Sequence, residues 1–368
     1  TKWTKTEQTI VLVYVDDILI SSNRLESVES VKALLRERYP ITDKGEVTQM
    51  LGITVDRDRA SRRFYMSQRG HIERVISDAG LQHAHPELVP MQPKLLLKKV
   101  AGKSLDPQMA TYYRSLVGQL THIARCTRPD IAYAVGRVSQ FAKEPAKPHL
   151  SAVEHIVRYL KGTIDLRLAL GQLSPAAASG STDTGERGAS PAPGKVLEQG
   201  ASVLGFSDSD YANDMDKRRS YSGFAFFVSG GIVSWSSKRQ STPALSTTEA
   251  EYMALSRAAK EAQYLRSLLE GIGLGVAGPV DLCGDNQGAI ALCKNPGHHD
   301  RSKHIHVRYH HIRHLVKQRA MTVRYVQSAH MLADIFTKAL PAPKLQADRV
   351  KLGLFASIDI SQSVMFAD

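Results

Sequence analysis

Two adjacent aspartates, Asp16 and Asp17, interrupt an otherwise aliphatic and β-branched stretch, VLVYVDDILISS at residues 11–22. Two like charges cannot both be buried in a sheet, because each ionised carboxylate loses its hydration and gains a repulsive neighbour. The flanking runs TIVLVYV and ILIS carry the composition of strands. The chain must therefore open with two strands joined at the Asp pair.

Downstream, strand and helix patterns alternate up to a seam. SVESVKALLRERY (27–39) places Val28, Val31, Leu34 and Leu35 on one helical face. MLGITVDRD and RRFYMSQ read as a hairpin, followed by a helix from Arg69 to Ala79 that Gly80 ends. From Tyr112 to Leu170 the pattern is mostly helical. Within it, Pro129 and Asp130 mark a helix start, with Asp130 near the positive end of the dipole rather than in a catalytic role. Residues 171–200 are rich in Gly, Ala, Ser and Pro, which predicts a flexible linker or surface insertion. Past the seam come three strands, a helix from about Thr247 to Gly271 and the buried strand PVDLCGDN. Further helices follow, one of them the basic HVRYHHIRHLVKQR, then the strand MTVRYV and a short helix HMLADIFTKAL ended by Pro341. This is an α/β (α+β) pattern, a mixed sheet with helices packed on it. At 368 residues there is length for two domains with separate cores.

A net charge of +12 favours a polyanionic partner, nucleic acid before an anionic membrane surface. Arg301 to Tyr325 holds seven Lys or Arg and no acid, the pattern of a phosphate-tracking stripe. No apolar run is long enough to cross a membrane, and no leader pattern opens the sequence. Cys126, Cys283 and Cys293 are scattered without C-x-x-C spacing, which fits a reducing compartment and argues against a disulfide framework.

In the second half, acidic residues fall where strands end or a helix faces the sheet: Asp208, Glu251, Asp285 and Asp334. Singly, each reads as a turn former, a cap or a solvated side chain; Asp285-Asn286 could cap the following helix. Together they are what two-ion phosphodiester hydrolysis needs, several hard oxygen ligands holding two cations about 4 Å apart.

From GFSDSDYANDMDKRRSYSGFAFF through TEAEY, GDNQ and SKHIHVRYHHIRHL to LADIFTKALP, residues 203–341 resemble the ribonuclease H domain of Ty1/copia-type retrotransposon Pol polyproteins. The resemblance implies a ribonuclease H-like mixed five-stranded sheet with flanking helices. It also implies catalysis and binding of two Mg²⁺ ions, or Mn²⁺ in their place, by Asp208, Glu251, Asp285 and Asp334. Asp210 and Glu249 would be neighbours of the ligands, and His330 a candidate for assisting product release. Phosphate contacts fall to Lys303, Arg308 and Arg313, and to Lys238 and Arg239 beside Trp235, whose indole either packs on a sugar or belongs to the hairpin core. Seven of the 14 histidines lie between His298 and His314, and His306, His310 and His314 have i,i+4 spacing. No partnering Glu or Cys supports zinc there, and a basic helix lying along the duplex is the better reading.

Upstream, YVDD resembles the hairpin of reverse transcriptase palms, with Asp16 and Asp17 at its tip against a divalent cation. The resemblance divides the chain into part of a palm with the primer-grip region (1–90), a helical thumb/connection region (91–170), the linker (171–200), the ribonuclease H domain (201–345) and a C-terminal tail (346–368). A further palm aspartate and the fingers lie upstream of YVDD in such enzymes, so this chain alone is expected not to polymerise. The implied partners are an RNA–DNA hybrid or another nucleic acid duplex and a full-length polymerase chain, with no membrane and no small-molecule cofactor. The implied setting is intracellular: cytoplasmic, in a virus-like particle, with nuclear access. Three readings stand side by side: an active ribonuclease H, a decayed nucleic-acid binder, and a structural subunit that needs a separate polymerase chain.

Overall fold

The computed structural model describes residues 2–3, 7–171, 200–294 and 311–356. The predicted linker therefore lies almost wholly outside the described residues, as do Lys303, Arg308 and most of the histidine-rich stretch. The opening strands form as expected: β1 (Lys2–Trp3), β2 (Gln8–Tyr14) and β3 (Asp17–Ser22) make an antiparallel sheet. Tyr14 pairs with Asp17, which leaves Val15 and Asp16 as a two-residue turn. Val15 takes φ +51°, a left-handed conformation that is strained for a β-branched residue. Helix α1 (Leu25–Arg38) lies against β3, but none of its residues is buried. Its apolar face is only half covered, and Leu34 stays 56% exposed.

A second antiparallel sheet runs β13-β7-β6-β5-β4, from β4 (Gln49–Met50), β5 (Ile53–Asp58), β6 (Arg63–Ser67), β7 (Leu166–Gly171) and β13 (Leu354–Ala356). Two expectations change here. Residues 166–171 are a strand, because Leu168 pairs with Met66 and buries its side chain in the neighbouring core. The described part of the predicted tail, residues 346–356, folds back: α8 (Ala342–Lys351) returns the chain so that Leu354 pairs with Leu168. Helices α2 (Arg69–Asp78), α3 (Pro107–Cys126), α4 (Ala132–Ser139) and α5 (Lys147–Gly162) pack on one another, and Leu168 and Leu354 of this sheet join their core. Asp106 caps α3 by accepting the Met109 N–H at 2.9 Å, with Pro107 at the first helical position. Asp130 does open a helical turn, Pro129–Ile131, and is structural. It accepts two bonds from the buried Arg128 (2.9 and 2.8 Å) and one from the Tyr159 hydroxyl (2.6 Å), so the buried charge is paired and saturated.

The third sheet is the mixed five-stranded one, ordered β10-β9-β8-β11-β12: β8 (Val203–Asp210), β9 (Tyr221–Val228), β10 (Gly231–Arg239), β11 (Val280–Gly284) and β12 (Met321–Tyr325). β8, β9 and β10 are antiparallel, and β11 runs parallel to both β8 and β12. Alternation sends Phe224, Phe226, Leu282 and Val323 to one face, where they meet Tyr252, Leu255 and Ile290 of α6 (Thr247–Gly271) and α7 (Gln287–Lys294). Phe206, Tyr221, Ala225 and Phe227 point to the other face and share one core with Leu120, Ile123 and Val138 of the helical layer. The two halves of the chain thus share one core, while the opposite face of the mixed sheet keeps a second core of its own. Trp235 belongs to that junction: its indole N–H donates to the Ala124 carbonyl at 2.8 Å.

The last predicted helix is two 3-10 turns, Ser328–His330 and Leu332–Phe336. Leu332, Ala333, Asp334, Ile335 and Phe336 are all buried, so the segment has no solvent face around which an amphipathic helix could form.

Candidate active site at the edge of the mixed sheet

Because β8 and β11 are parallel neighbours, their carboxyl ends lie at the same edge of the sheet. Asp208 sits two residues before the end of β8, and Asp285 immediately follows β11. Asn286, not Asp285, caps α7 by accepting the Ala289 N–H at 2.9 Å, which leaves Asp285 to the site. Glu251 arrives from the first turns of α6, where the Ser209 backbone N–H donates to its Oε1 at 3.2 Å. One oxygen from each of Asp208, Glu251 and Asp285 lies within 4.8 Å of the others.

Asp334 lies in the second 3-10 turn, outside this group of three, and its Oδ1 is 2.8 Å from the Lys338 ammonium. The turn reaches the sheet because β9 carries Gly223 opposite Asp208. A Cβ on Gly223 would stand 2.7 Å from Phe336 Cβ and 2.8 Å from Thr337 Cγ2. That close approach lets the Thr337 hydroxyl donate to Asp208 Oδ2. On the other side, the buried Gln240 amide donates to Ser222 Oγ and the Ala250 carbonyl, each at 2.9 Å, and so ties β9 to the start of α6. Thr337, Lys338, Gln240 and Gly223 carry no role in the sequence reading. The signals were that Thr337, Lys338 and Gly223 fall inside the quoted FTK and YSGF stretches and that Gln240 follows Arg239.

Asp208 and Glu251 are only 3% and 8% exposed, and crowding three carboxylates in a dry site raises their proton affinity. Burial, then Asp334, pushes Asp208 up to about 7; burial, then Asp208 and Asp285, pushes Glu251 up to about 10. Burial also raises Asp334, against the lowering effect of Lys338. For Lys338 itself, burial works downward, but Asp208, Asp334 and Asp210 outweigh it and hold the ammonium above the usual lysine range. The carboxylates and their spacing fit divalent cations: acceptor-only oxygens, desolvated and mutually repelling, with no protein cation among the three.

Other predicted positions divide. Asp16 and Asp17 sit exposed at the hairpin tip, as the strand pattern required, and among the described residues no third metal-ligating side chain is gathered with them. Asp210 is held by the Asn213 amide beside the site. Glu249 is instead part of the α6 cap, its Oε2 accepting the Leu245 N–H at 2.7 Å while Ser246 Oγ accepts the Glu249 N–H. His330 lies in the first 3-10 turn, next to the segment whose Ser328 hydroxyl donates to Asp285 at 2.7 Å. Lys238 is exposed on β10. Arg239 is partly buried, and its Nη1 donates to Gln140 (2.7 Å) and pairs with Asp214 (2.9 Å), bridging the two halves. Arg313, within helical residues 311–317, gives its Nε to the Leu292 carbonyl at the end of α7 (3.0 Å).

Residues 1–93 match the family described as reverse transcriptase (RNA-dependent DNA polymerase). Over 352 residues, 95% of this chain, it is 37% identical to the Retrovirus-related Pol polyprotein from transposon TNT 1-94 of Nicotiana tabacum. It is 35% identical over 94% of its length to the corresponding polyprotein from transposon RE1 of Arabidopsis thaliana. The chain belongs to the Ty1/copia-type retrotransposon Pol family. It spans 24% and 21% of those two polyproteins, and the reverse transcriptase match lies in its first 93 residues. Among solved structures, a foamy viral protease-reverse transcriptase in complex with an RNA/DNA hybrid matches 86% of this chain and 36% of that chain, at 14% identity and a TM-score of 0.41.

Proposed function

We propose that this Pol region hydrolyses the RNA strand of RNA–DNA hybrids at Asp208, Glu251, Asp285 and Asp334. The observation that carries the reading is the meeting of Asp208, Glu251 and Asp285 within 4.8 Å, from two parallel strand ends and one helix. Three buried or half-buried acids brought together repel one another when ionised, and a shared cation relieves that repulsion without protonating them. Two Mg²⁺ ions would supply an activated water and stabilise the leaving oxygen. The chain's part is to hold the ligands: Thr337 orients Asp208, the Ser209 N–H orients Glu251, Ser328 orients Asp285 and Lys338 orients Asp334. Net charge supports a polyanionic substrate. Selectivity for the hybrid would rest on shape, a minor-groove surface sensing 2′-hydroxyls on one strand only.

The polymerase hairpin has a different role in this reading. With no third acid gathered beside Asp16 and Asp17 among the described residues, the purified chain incorporates no nucleotides, and the helical layer serves to grip duplex. The test supplies labelled RNA–DNA hybrid, RNA duplex and DNA duplex in Mg²⁺ and in chelator. The expected result is cleavage of the RNA strand of the hybrid only, abolished by chelator. Equal cleavage of all three, or cleavage in chelator, contradicts the proposal.

A further inference from the structure

The four acids are not equivalent in the folded chain. Asp208, Glu251 and Asp285 turn one oxygen each toward a common point, whereas Asp334 is already paired. Its partner is fixed by the backbone: the Thr337 and Lys338 N–H groups both donate to the Asp334 carbonyl (3.0 and 3.1 Å), which brings Lys338 one turn beyond Asp334 and back over it. The Lys338 side chain is half-buried, lining a cleft with Pro90, Met91, Tyr133 and Ala339 between the helical layer and the turn. The residue before it, Thr337, bonds Asp208, so the ammonium is carried on the segment that touches two of the four acids. Asp210 adds a further negative charge on this side.

We propose that Lys338 is a built-in cation of the site: while its ammonium sits on Asp334, the chain free of nucleic acid takes up one divalent ion, at Asp208, Glu251 and Asp285, and a second ion enters only as Lys338 leaves Asp334. Electrostatics favours the competition, because an ammonium resting on Asp334 repels a divalent ion that approaches the same carboxylate. Lys338 is thus a positioning residue that makes uptake of the second ion conditional. Arrival of the substrate phosphate, which offers the ammonium another anion, is the event that would release Asp334. The inference rests on the divalent-metal reading of the site.

The experiment counts Mn²⁺ bound by the intact chain without nucleic acid, read from the electron paramagnetic resonance signal of the free ion. The wild type should bind one ion tightly. Lys338→Met should bind a second ion about tenfold or more tighter than any second ion in the wild type. Lys338→Arg, which keeps the charge, should behave as the wild type. Adding Asp334→Asn to Lys338→Met should remove the second ion and leave the first. The same affinities in Lys338→Met and wild type overturn the inference while leaving the metal site standing. No binding to any variant, or a first ion that survives Glu251→Gln, overturns the metal-site reading and the inference with it. Should Lys338→Met fail to fold, Lys338→Gln decides in its place: a second ion about tenfold or more tighter than in the wild type supports the inference, and unchanged affinities overturn it.

Discussion

Glu251 is the residue whose chemistry is most altered by its surroundings. A carboxyl that titrates near 4.5 in the unfolded chain and near 10 in the metal-free fold holds a proton between those values that the unfolded state has lost. The native state then binds more protons, so stability falls as pH rises through that window, by at most about 1.4 kcal/mol per pH unit for one such group. Asp208 acts in the same direction between 3.8 and about 7. The metal-free chain should therefore lose Tm from pH 6 to pH 9, and Glu251→Gln, neutral throughout, should lose less. Mg²⁺ at pH 8 should raise the Tm of the wild type and leave that of Glu251→Gln nearly unchanged. A wild-type Tm that is flat with pH and insensitive to Mg²⁺ contradicts the account. The acids were legible because carboxylates at strand ends are uncommon in so regular an order. Lys338 was not, since a lysine near the end of a short helix reads as a solvated charge, although its i,i+4 spacing from Asp334 is the one that lets the two meet. The partners of Arg239 were not legible either, since nothing near it in sequence points to Asp214 and Gln140.

Among the elements, the contact between β9 and the second 3-10 turn does most to assemble the site. Gly223 is the condition for it, since any side chain there meets Phe336, Thr337 and the Ala333 carbonyl at 3.0 Å or less. Gly223→Ala should cost about 1–3 kcal/mol by overpacking and should reduce hybrid cleavage by more than the fraction of chain it unfolds. Circular dichroism melts beside the cleavage assay separate the two effects; unchanged activity in a folded Gly223→Ala chain would contradict the role given to the contact. The long helix Thr247–Gly271 and the hairpin around Gly230-Gly231 were readable from period and turn residues. Strand β7 and the strand past α8 were not, because each owes its state to a partner more than a hundred residues away in sequence.

For the whole molecule, the decisive fact is that the helical layer of the first half covers one face of the mixed sheet. Phe206, Tyr221, Phe227, Trp235 and Phe336 would face water if residues 201–356 were cut away from α3, α4 and α5. That fragment should therefore be poorly packed, with weak near-ultraviolet dichroism and dye binding typical of exposed apolar surface, and a cooperative, well-packed fragment would contradict the shared core. Composition around 171–200 suggested a division, and no local pattern says which faces meet across it; tertiary complementarity alone decides that. The central claim is that the gathered acids are a nuclease site held by this shared scaffold. Cleavage of a labelled RNA–DNA hybrid in Mg²⁺ by the wild-type chain and by Asp285→Asn, with melts of both, tests it most directly. The account predicts cleavage by the wild type and a loss of about a hundredfold or more in the variant, at a Tm no lower than that of the wild type. Equal cleavage by the two, or none by a folded wild type that binds the hybrid, would contradict it.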